Sequence, residues 1–140
     1  MSMKYYAVID TNVIVSAMLK STSVPGNILE FVFNGTIIPL ISGEIIAEYR
    51  NVLSRPKFHW SGEIIENVVS EIERIGIDIS PESIDIELPD PKDRVFYEVT
   101  IEGRKSEDVH LVTGNIKHFP EEIFVVTPRQ MLDIVINVTE

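Results

Sequence analysis

Cysteine is absent from this chain of 140 residues. Disulfide bonds and thiolate metal sites are therefore excluded, and the composition suits a reducing cytoplasm, where we expect the protein to act. No stretch reaches the ~20 apolar residues that a membrane-spanning helix needs. The chain also does not open with the basic segment and apolar run of a secretory signal. We therefore expect no membrane partner.

Positive charge is also scarce. The chain has 12 Lys and Arg against 22 Asp and Glu, a net charge of −10. Nucleic-acid-binding proteins are usually basic because phosphate contacts dominate their affinity, so the net charge alone argues against such a partner. The deficit is local, however. Residues 63 to 90 hold nine acidic residues and one basic residue, whereas residues 1 to 62 hold four acidic and five basic ones. The plainest interpretation of the acidic segment is a solvated helix face and connection.

Short apolar runs alternate with helical stripes along the chain. Hydrophobic residues make up 44% of it, enough for the core of one ordinary domain, and we expect residues 1–140 to form one. The alternation favours an α/β domain with a mostly parallel sheet. The predicted strands are residues 5–9, 36–41, 77–79, 83–88, 109–113 and 123–126, and the predicted helices are residues 12–19, 26–34, 43–54, 62–75, 92–101 and 128–136.

Polar residues stand where this fold would bind a ligand. In open parallel α/β sheets, ligands lie outside the carboxyl ends of the strands. Asp10 ends the first predicted strand, and Ser42 begins the helix after the second. Asp93 opens a helix just after a Pro-Asp-Pro break, and Asn115 follows the strand at 109–113. We expect the fold to gather these four stretches at one edge of the sheet.

Glu48 joins this set by helix geometry. At about 100° per residue, it falls at the border of an apolar stripe formed by Ile45, Ile46, Tyr49, Val52 and Leu53. Carboxylates that share a cleft repel each other unless a cation lies between them. Mg²⁺ or Mn²⁺ suits such oxygen ligands, keeps positions for water and phosphate, and can activate a water against a phosphodiester.

Each of these residues also has an ordinary structural interpretation. An aspartate after a strand, such as Asp10, is commonly a turn or cap residue. Asp93 can simply cap its helix, Asn115 after a glycine is a frequent turn residue, and Glu48 can be a plain surface residue. The prediction of a site therefore depends on their coincidence.

Five blocks of sequence resemble the PIN-domain family, in particular the toxin-like branch of prokaryotic toxin–antitoxin systems. They are "VIDTNVIVSAML" (8–19), "ISGEIIAEYRNVLSRPKF" (41–58), "DPKDRVFYEVT" (90–100), "LVTGNIKHFP" (111–120) and "VVTPRQML" (125–132). The resemblance implies a three-layer α/β/α sandwich with a central, mostly parallel sheet. It also implies a Mg²⁺- or Mn²⁺-dependent endonuclease acting on RNA, an antitoxin protein as partner, and a homodimer.

The resemblance also assigns roles to individual residues. It implies that the catalytic metal ligands are Asp10, Glu48 and Asp93, and that Asn12 is the asparagine whose hydrogen bonds hold the site together. Thr11 and Ser42 are supporting candidates. Many members of the family carry an aspartate after "TG", where this chain has Asn115. An amide oxygen can bind a metal without bringing charge, so this departure bears on a second ion and on full activity.

Basic residues near these blocks are candidates for holding phosphates: Arg55, Lys57, Lys117 and His118. The run "RPKFHW" (55–60) mixes cations with aromatic residues, as proteins that bind single strands do. The alternative is a loop that ends a helix, with Phe58 and Trp60 packed inward.

Other classes that open with a strand-end aspartate fit less well. Haloacid-dehalogenase-type phosphatases need a second aspartate two residues later, where this chain has Asn12. A phosphate-binding loop of the form G-x-x-x-x-G-K is absent, and receiver-like domains would need acidic residues before Asp10. The alternative from a different functional class is a catalytically weak or inactive PIN module that binds RNA or a protein.

Overall fold

Five parallel strands form a single sheet in the computed structural model, which describes residues 3 to 137. The strands are β1 (Tyr5–Ile9), β2 (Ile37–Ile41), β3 (Ile77–Asp78), β4 (Val109–Val112) and β5 (Val125–Val126). Their order across the sheet is β3-β2-β1-β4-β5, and every neighbouring pair is parallel. The prediction of an α/β domain with a parallel sheet is confirmed.

Helices cover both faces of the sheet, which gives three layers. They are α1 (Thr11–Leu19), α2 (Val24–Phe33), α3 (Gly43–Leu53), α4 (Gly62–Ile75), α5 (Arg94–Arg104) and α6 (Pro128–Ile136). Single 3₁₀ turns lie at Pro56–Phe58, Pro91–Asp93 and Ile116–His118. Within the described residues, no helix is both long and apolar enough to cross a bilayer.

Helix starts and stops follow the local sequence. Ser42 and Ser61 accept hydrogen bonds from backbone N–H groups in the first turns of α3 and α4, and Thr127 with Gln130 forms a complete capping box on α6. Gly35 follows the end of α2 with a φ of 88°, a conformation that favours glycine.

The centre of the sheet fixes the position of the candidate site. β1 lies between β2 and β4, and Ile9 is in register with Val112. The residues that follow these two strands, Asp10 and Thr113, are therefore neighbours. The buried Tyr49 hydroxyl of α3 donates a hydrogen bond of 2.6 Å to the carbonyl of Ile9, which ties α3 to the end of β1.

The predicted strand over residues 83–88 is wrong. This segment, which we call the strap, lies along α5 instead of joining the sheet. The Ile84 N–H donates to Oε2 of Glu98 over 2.7 Å, and Arg94 Nη2 donates to the carbonyl of Ile86 over 2.7 Å. Ile84 and Ile86 pack against the core. The apolar residues do alternate, but side chains of α5 supply the hydrogen bonds that a neighbouring strand would otherwise provide.

Candidate functional site

A cleft of about 330 Å³ lies at the carboxyl edge of the central strands. Four parts of the chain line it: the start of α1, the side of α3 that carries Glu48 and Val52, the 3₁₀ turn before α5, and the turn after β4. Eight of the residues predicted from the sequence line this one cleft, namely Asp10, Thr11, Asn12, Glu48, Arg55, Asp93, Asn115 and His118. Of the four residues expected to meet at this edge, Asp10, Asp93 and Asn115 therefore line one cleft, and Ser42 does not.

Asp10 is the most enclosed carboxylate of the cleft, with only 5% of its surface exposed. Its Oδ2 accepts a hydrogen bond of 2.7 Å from the Thr113 hydroxyl and one of 3.2 Å from Asn12 Nδ2. Burial raises the pKa of Asp10 above its ordinary value, and the bond from Thr113 opposes that rise. Burial therefore makes the charged form costly, while these two donors stabilise it and fix its orientation.

Asn12 and Thr113 join the two turns that flank the cleft. Asn12 Oδ1 accepts a hydrogen bond of 3.1 Å from the N–H of Gly114, so the Asn12 side chain bridges Asp10 and the turn after β4. Thr113 is fully buried, and its hydroxyl also accepts from the N–H of Asn115 over 3.0 Å. Sequence reasoning missed Thr113. Only the pairing of β4 with β1, which the local sequence does not specify, places it beside Asp10.

Asp93 lies at the end of the 3₁₀ turn that leads into α5. Its pKa rises to about 6, first through burial and then through the negative charges of Asp10 and Asp90, while His118 lowers it. His118 Nδ1 lies 3.6 Å from Asp93 Oδ2. The negative charge of Asp10 thus reaches Asp93 across the cleft.

Glu48 is half-buried, as its border position on α3 predicts. It lines the cleft and also a neighbouring cavity of about 320 Å³. Thr11 lies close by and is 5% exposed, and its buried hydroxyl has no hydrogen-bond partner among residues 3 to 137. An unpartnered buried hydroxyl is costly, so this edge of the cleft has a polar group that a bound ligand or water would satisfy.

Two lining residues, Asp90 and Lys92, were not singled out from the sequence. Both belong to "PDPKD" (89–93), which was treated mainly as a chain break. Lys92 and Arg55 are exposed, and neither lies within 4.0 Å of a carboxylate in the described part of the chain. They place positive charge at the rim of an otherwise acidic cleft.

Three predicted residues lie outside the lining of the cleft. Ser42 is buried and accepts the hydrogen bond that caps α3. Lys57 Nζ lies 5.1 Å from the centre of the Phe58 ring. Lys117 lines a different cavity of about 450 Å³. The rings of Phe58 and Trp60 stack on each other with centres 4.8 Å apart, and Trp60 also packs against the core.

The residues of the cleft suit a hard divalent ion by their chemistry. Four carboxylates, two side-chain amides and a hydroxyl without a partner line it, and such ions prefer oxygen ligands. No group of three or more His, Asp or Glu side chains within residues 3 to 137 is arranged to hold an ion by itself. Mg²⁺ commonly binds through one or two carboxylates and keeps several waters. A site that is partly completed by water therefore fits these residues.

By its fold and its cleft, the protein belongs to the class of parallel α/β domains with an acidic site at the carboxyl edge of the central strands. A family model described as PIN domain matches residues 6–117. That range is well over half of the chain, and the protein belongs to the PIN-domain family. PIN domains are generally nucleases and typically use divalent metal ions. No curated protein and no solved structure matches the chain.

Proposed function

We propose that the protein is a metal-dependent endoribonuclease that hydrolyses phosphodiester bonds in this cleft. One observation carries the proposal: the buried carboxylate of Asp10 shares a cleft with Asp93, whose pKa is raised to about 6, partly by the charge of Asp10. The negative charge of Asp10 makes the charged form of Asp93 costly, and the charge of Glu48 does the same to Asp10. A bound divalent cation would remove that cost.

Asp10, Glu48 and Asp93 would hold a Mg²⁺ or Mn²⁺ ion, with Asn115 as a further oxygen ligand. When bound, such an ion supplies an activated water and neutralises charge on the attacked phosphate. The Thr113 and Asn12 donors would keep Asp10 charged and correctly oriented. When no ion is bound, the neighbouring His118 would lower the pKa of Asp93 and so favour its charged form.

The cations at the rim would hold the phosphates of the substrate. Arg55 and Lys92 line the cleft and have no carboxylate partner in the described residues. By contrast, Arg50 and Arg74 on the outer faces of α3 and α4 form ion pairs with glutamates. With a divalent ion offsetting the carboxylates, these cations would give a protein with a net charge of −10 a local surface that attracts phosphate. Lys57 and Lys117 lie outside the lining and would contact a longer strand.

The test is cleavage of single-stranded RNA with Mg²⁺ or Mn²⁺ by the wild type and by Asp10→Asn. Asp133→Asn on the exposed face of α6 is the matched control, because it removes the same charge outside the cleft. We expect the wild type and the control to cleave and Asp10→Asn to lose activity by at least about a hundredfold, the scale on which loss of a catalytic electrostatic contact acts. Cleavage that persists in both Asp10→Asn and EDTA would refute the metal mechanism.

The toxin role is the finer part of the proposal. The five blocks that resemble the toxin-like branch support it, and with it a homodimer, an antitoxin partner and action on cytoplasmic RNA. We expect expression of the wild type, but not of Asp10→Asn, to stop growth of a bacterial host. A small reading frame beside the gene should restore growth. If that frame does not restore growth, the toxin role fails while the nuclease can still stand.

Asn115 favours a second function, that of a weakly active or inactive PIN module that binds RNA. It supplies an amide where many members of the family carry a carboxylate, so the cleft has less negative charge for holding an ion. For this function, we expect RNA binding that is equal in the wild type and Asp10→Asn, with no cleavage under any metal condition.

A further inference from the structure

We propose that the cleft selects its substrate by binding one nucleobase in a small uncharged cavity beside the metal-ligand candidates. This cavity, which we call the base pocket, has a volume of about 240 Å³. The inference rests on the proposed function, because it names what the same site recognises next to the reacting phosphate. Besides Asn12 and Asn115, it concerns residues to which neither the sequence motifs nor the family match gives a role, Ser16 above all.

The base pocket is continuous with the cleft. Asn12 and Asn115 line both cavities. Glu48 and Lys92 line both the cleft and the neighbouring cavity of about 320 Å³, which shares no lining residue with the base pocket. A substrate held at the carboxylates therefore adjoins two separate spaces, one with charged lining residues and the other the base pocket.

The two cavities differ in the charge of their lining residues. Among the described residues, none that lines the base pocket is charged, and its other lining residues are Val13, Ser16, Pro25, Gly114 and Pro128. Proline rings, a valine and a glycine form a mainly apolar wall. A nucleobase is uncharged and has two apolar faces, so such a wall suits it better than it suits a phosphate.

The backbone of the base pocket also disfavours a phosphate. α2 and α6 both begin beside it, and helix N-termini can bind anions through free N–H groups. Here Pro25 and Pro128 have no N–H. The N–H groups of Gly26 and Gln130 already donate to the side chains of the N-cap residues Ser23 and Thr127. The N–H of Gly114 donates to Asn12.

Neutral polar groups remain for the edge of a base. The Ser16 hydroxyl and the Asn115 side-chain amide form no hydrogen bond with any other residue in the part of the chain that the structure describes. Bases in single strands are recognised by contacts with their faces and by hydrogen bonds to their edges. The wall would contact the face of the base, and Ser16 and Asn115 would contact its edge.

Filling the base pocket tests the inference. Ser16→Leu places a larger apolar side chain in it from the exposed side of α1, and Ser70→Leu on the exposed face of α4 is the matched control. The substrates are RNA oligonucleotides in which one position at a time lacks its base. We expect one abasic position beside the cut to slow the wild type and Ser70→Leu roughly tenfold, as loss of a base contact does. Ser16→Leu should cleave the intact RNA about as slowly as the wild type cleaves the abasic RNA. The abasic position should not slow Ser16→Leu further.

A second measurement separates this inference from the nuclease proposal. Nucleoside monophosphates are titrated into ¹⁵N-labelled protein, and the amide resonances of Ser16 and Gly114 are followed. If these resonances shift in the wild type and do not shift in Ser16→Leu, the base pocket is supported. This result would stand even if the wild type does not cleave RNA and the nuclease proposal is refuted. If the wild type cleaves RNA but tolerates every abasic position, or if Ser16→Leu keeps the wild-type sensitivity, the base pocket is refuted and the nuclease stands. Absence of both cleavage and shifts refutes both.

Discussion

The hydroxyl of Thr113 donates a 2.7 Å hydrogen bond to Oδ2 of Asp10, joining two residues that are 103 positions apart in the sequence. Parallel pairing of β1 with β4 places them side by side. The same hydroxyl accepts the N–H of Asn115, so one buried side chain fixes both the proposed metal ligand and the turn beside it.

Thr113→Val should separate orientation of the carboxylate from packing, because valine keeps the shape of threonine and loses the hydroxyl. We expect the free energy of unfolding to fall by about 1–2 kcal/mol, since Asp10 and the Asn115 N–H each lose a buried partner. Cleavage should fall about 10- to 100-fold, as for other groups that orient metal ligands. Urea denaturation and RNA cleavage rates measure the two effects.

Thr100→Val is the control for Thr113→Val. Thr100 is also fully buried, but its hydroxyl donates to the Phe96 carbonyl within α5. Its replacement should cost less stability and leave the cleavage rate unchanged. Equal loss of activity in both variants would show that general loosening, rather than orientation of Asp10, causes the effect.

Asp93→Asn should stabilise the metal-free protein at neutral pH. The pKa of Asp93 is about 6 in the folded protein, against 3.8 for the ordinary side chain. A raised pKa means that the stability contributed by the protonated form is complete below about pH 4 and is lost as the pH rises through about 6. In EDTA at pH 7.5 we expect a gain of about 1 kcal/mol, after allowance for partial solvation. The gain should vanish at pH 4.

Thermal unfolding with and without Mn²⁺ completes this test. The ion should raise the Tm of the wild type, because it binds the folded state, and should raise that of Asp93→Asn much less. Asp85→Asn on the exposed side of the strap controls for the loss of one negative charge. A Tm of Asp93→Asn that matches Asp85→Asn under every condition would contradict the proposed role of Asp93.

The cations at the rim predict a salt dependence. Arg55→Gln together with Lys92→Gln should weaken RNA binding and lower the slope of log K against log salt by about 1.4, at roughly 0.7 for each lost phosphate contact. Fluorescence anisotropy at several salt concentrations measures the slope. Lys4→Gln with Lys20→Gln removes the same charge outside the cleft and should leave the slope unchanged. A slope that falls equally in both double variants would argue for non-specific attraction.

Asn115→Asp restores the charge that the resemblance leads one to expect. We expect Mn²⁺ affinity to rise about tenfold, because a carboxylate replaces a neutral amide among the oxygen ligands. Calorimetric titration would also show whether a second ion binds. Asn67→Asp on the exposed face of α4 is the control. Unchanged affinity in Asn115→Asp would place this side chain outside the metal site and leave it to the substrate.

Most of the fold could be predicted from the sequence, because each strand and helix carries its own periodicity and caps. The ends of the predicted helices and of the five observed strands agree with the structure within three residues. The strap could not be predicted, because apolar alternation does not specify which partner satisfies the backbone. That partner is a side chain of α5, which begins six residues after the strap ends.

The residues of the candidate site also fall into two groups, those that the sequence predicts and one that it does not. Asp10 and Asp93 stand out in the sequence because each interrupts a structural element, and Glu48 because of its place on a helix face. Thr113 does not stand out, since a threonine at the end of a β-rich run is ordinary strand composition. Only the lateral pairing of β1 and β4 places it beside Asp10.

The attachment of the strap has a consequence for how the protein can change over evolution. Its Ile84 amide and Ile86 carbonyl bond to side chains of α5, so strand pairing in the sheet does not depend on it. Ile84 and Ile86 pack against the core, but substitutions at exposed positions such as Asp85 and Glu87 leave the registers of β1, β2 and β4 fixed. Since the strap leads directly to Asp90 and Asp93, it is a segment through which descendants of one ancestral sequence could diverge in substrate range without redesigning the domain.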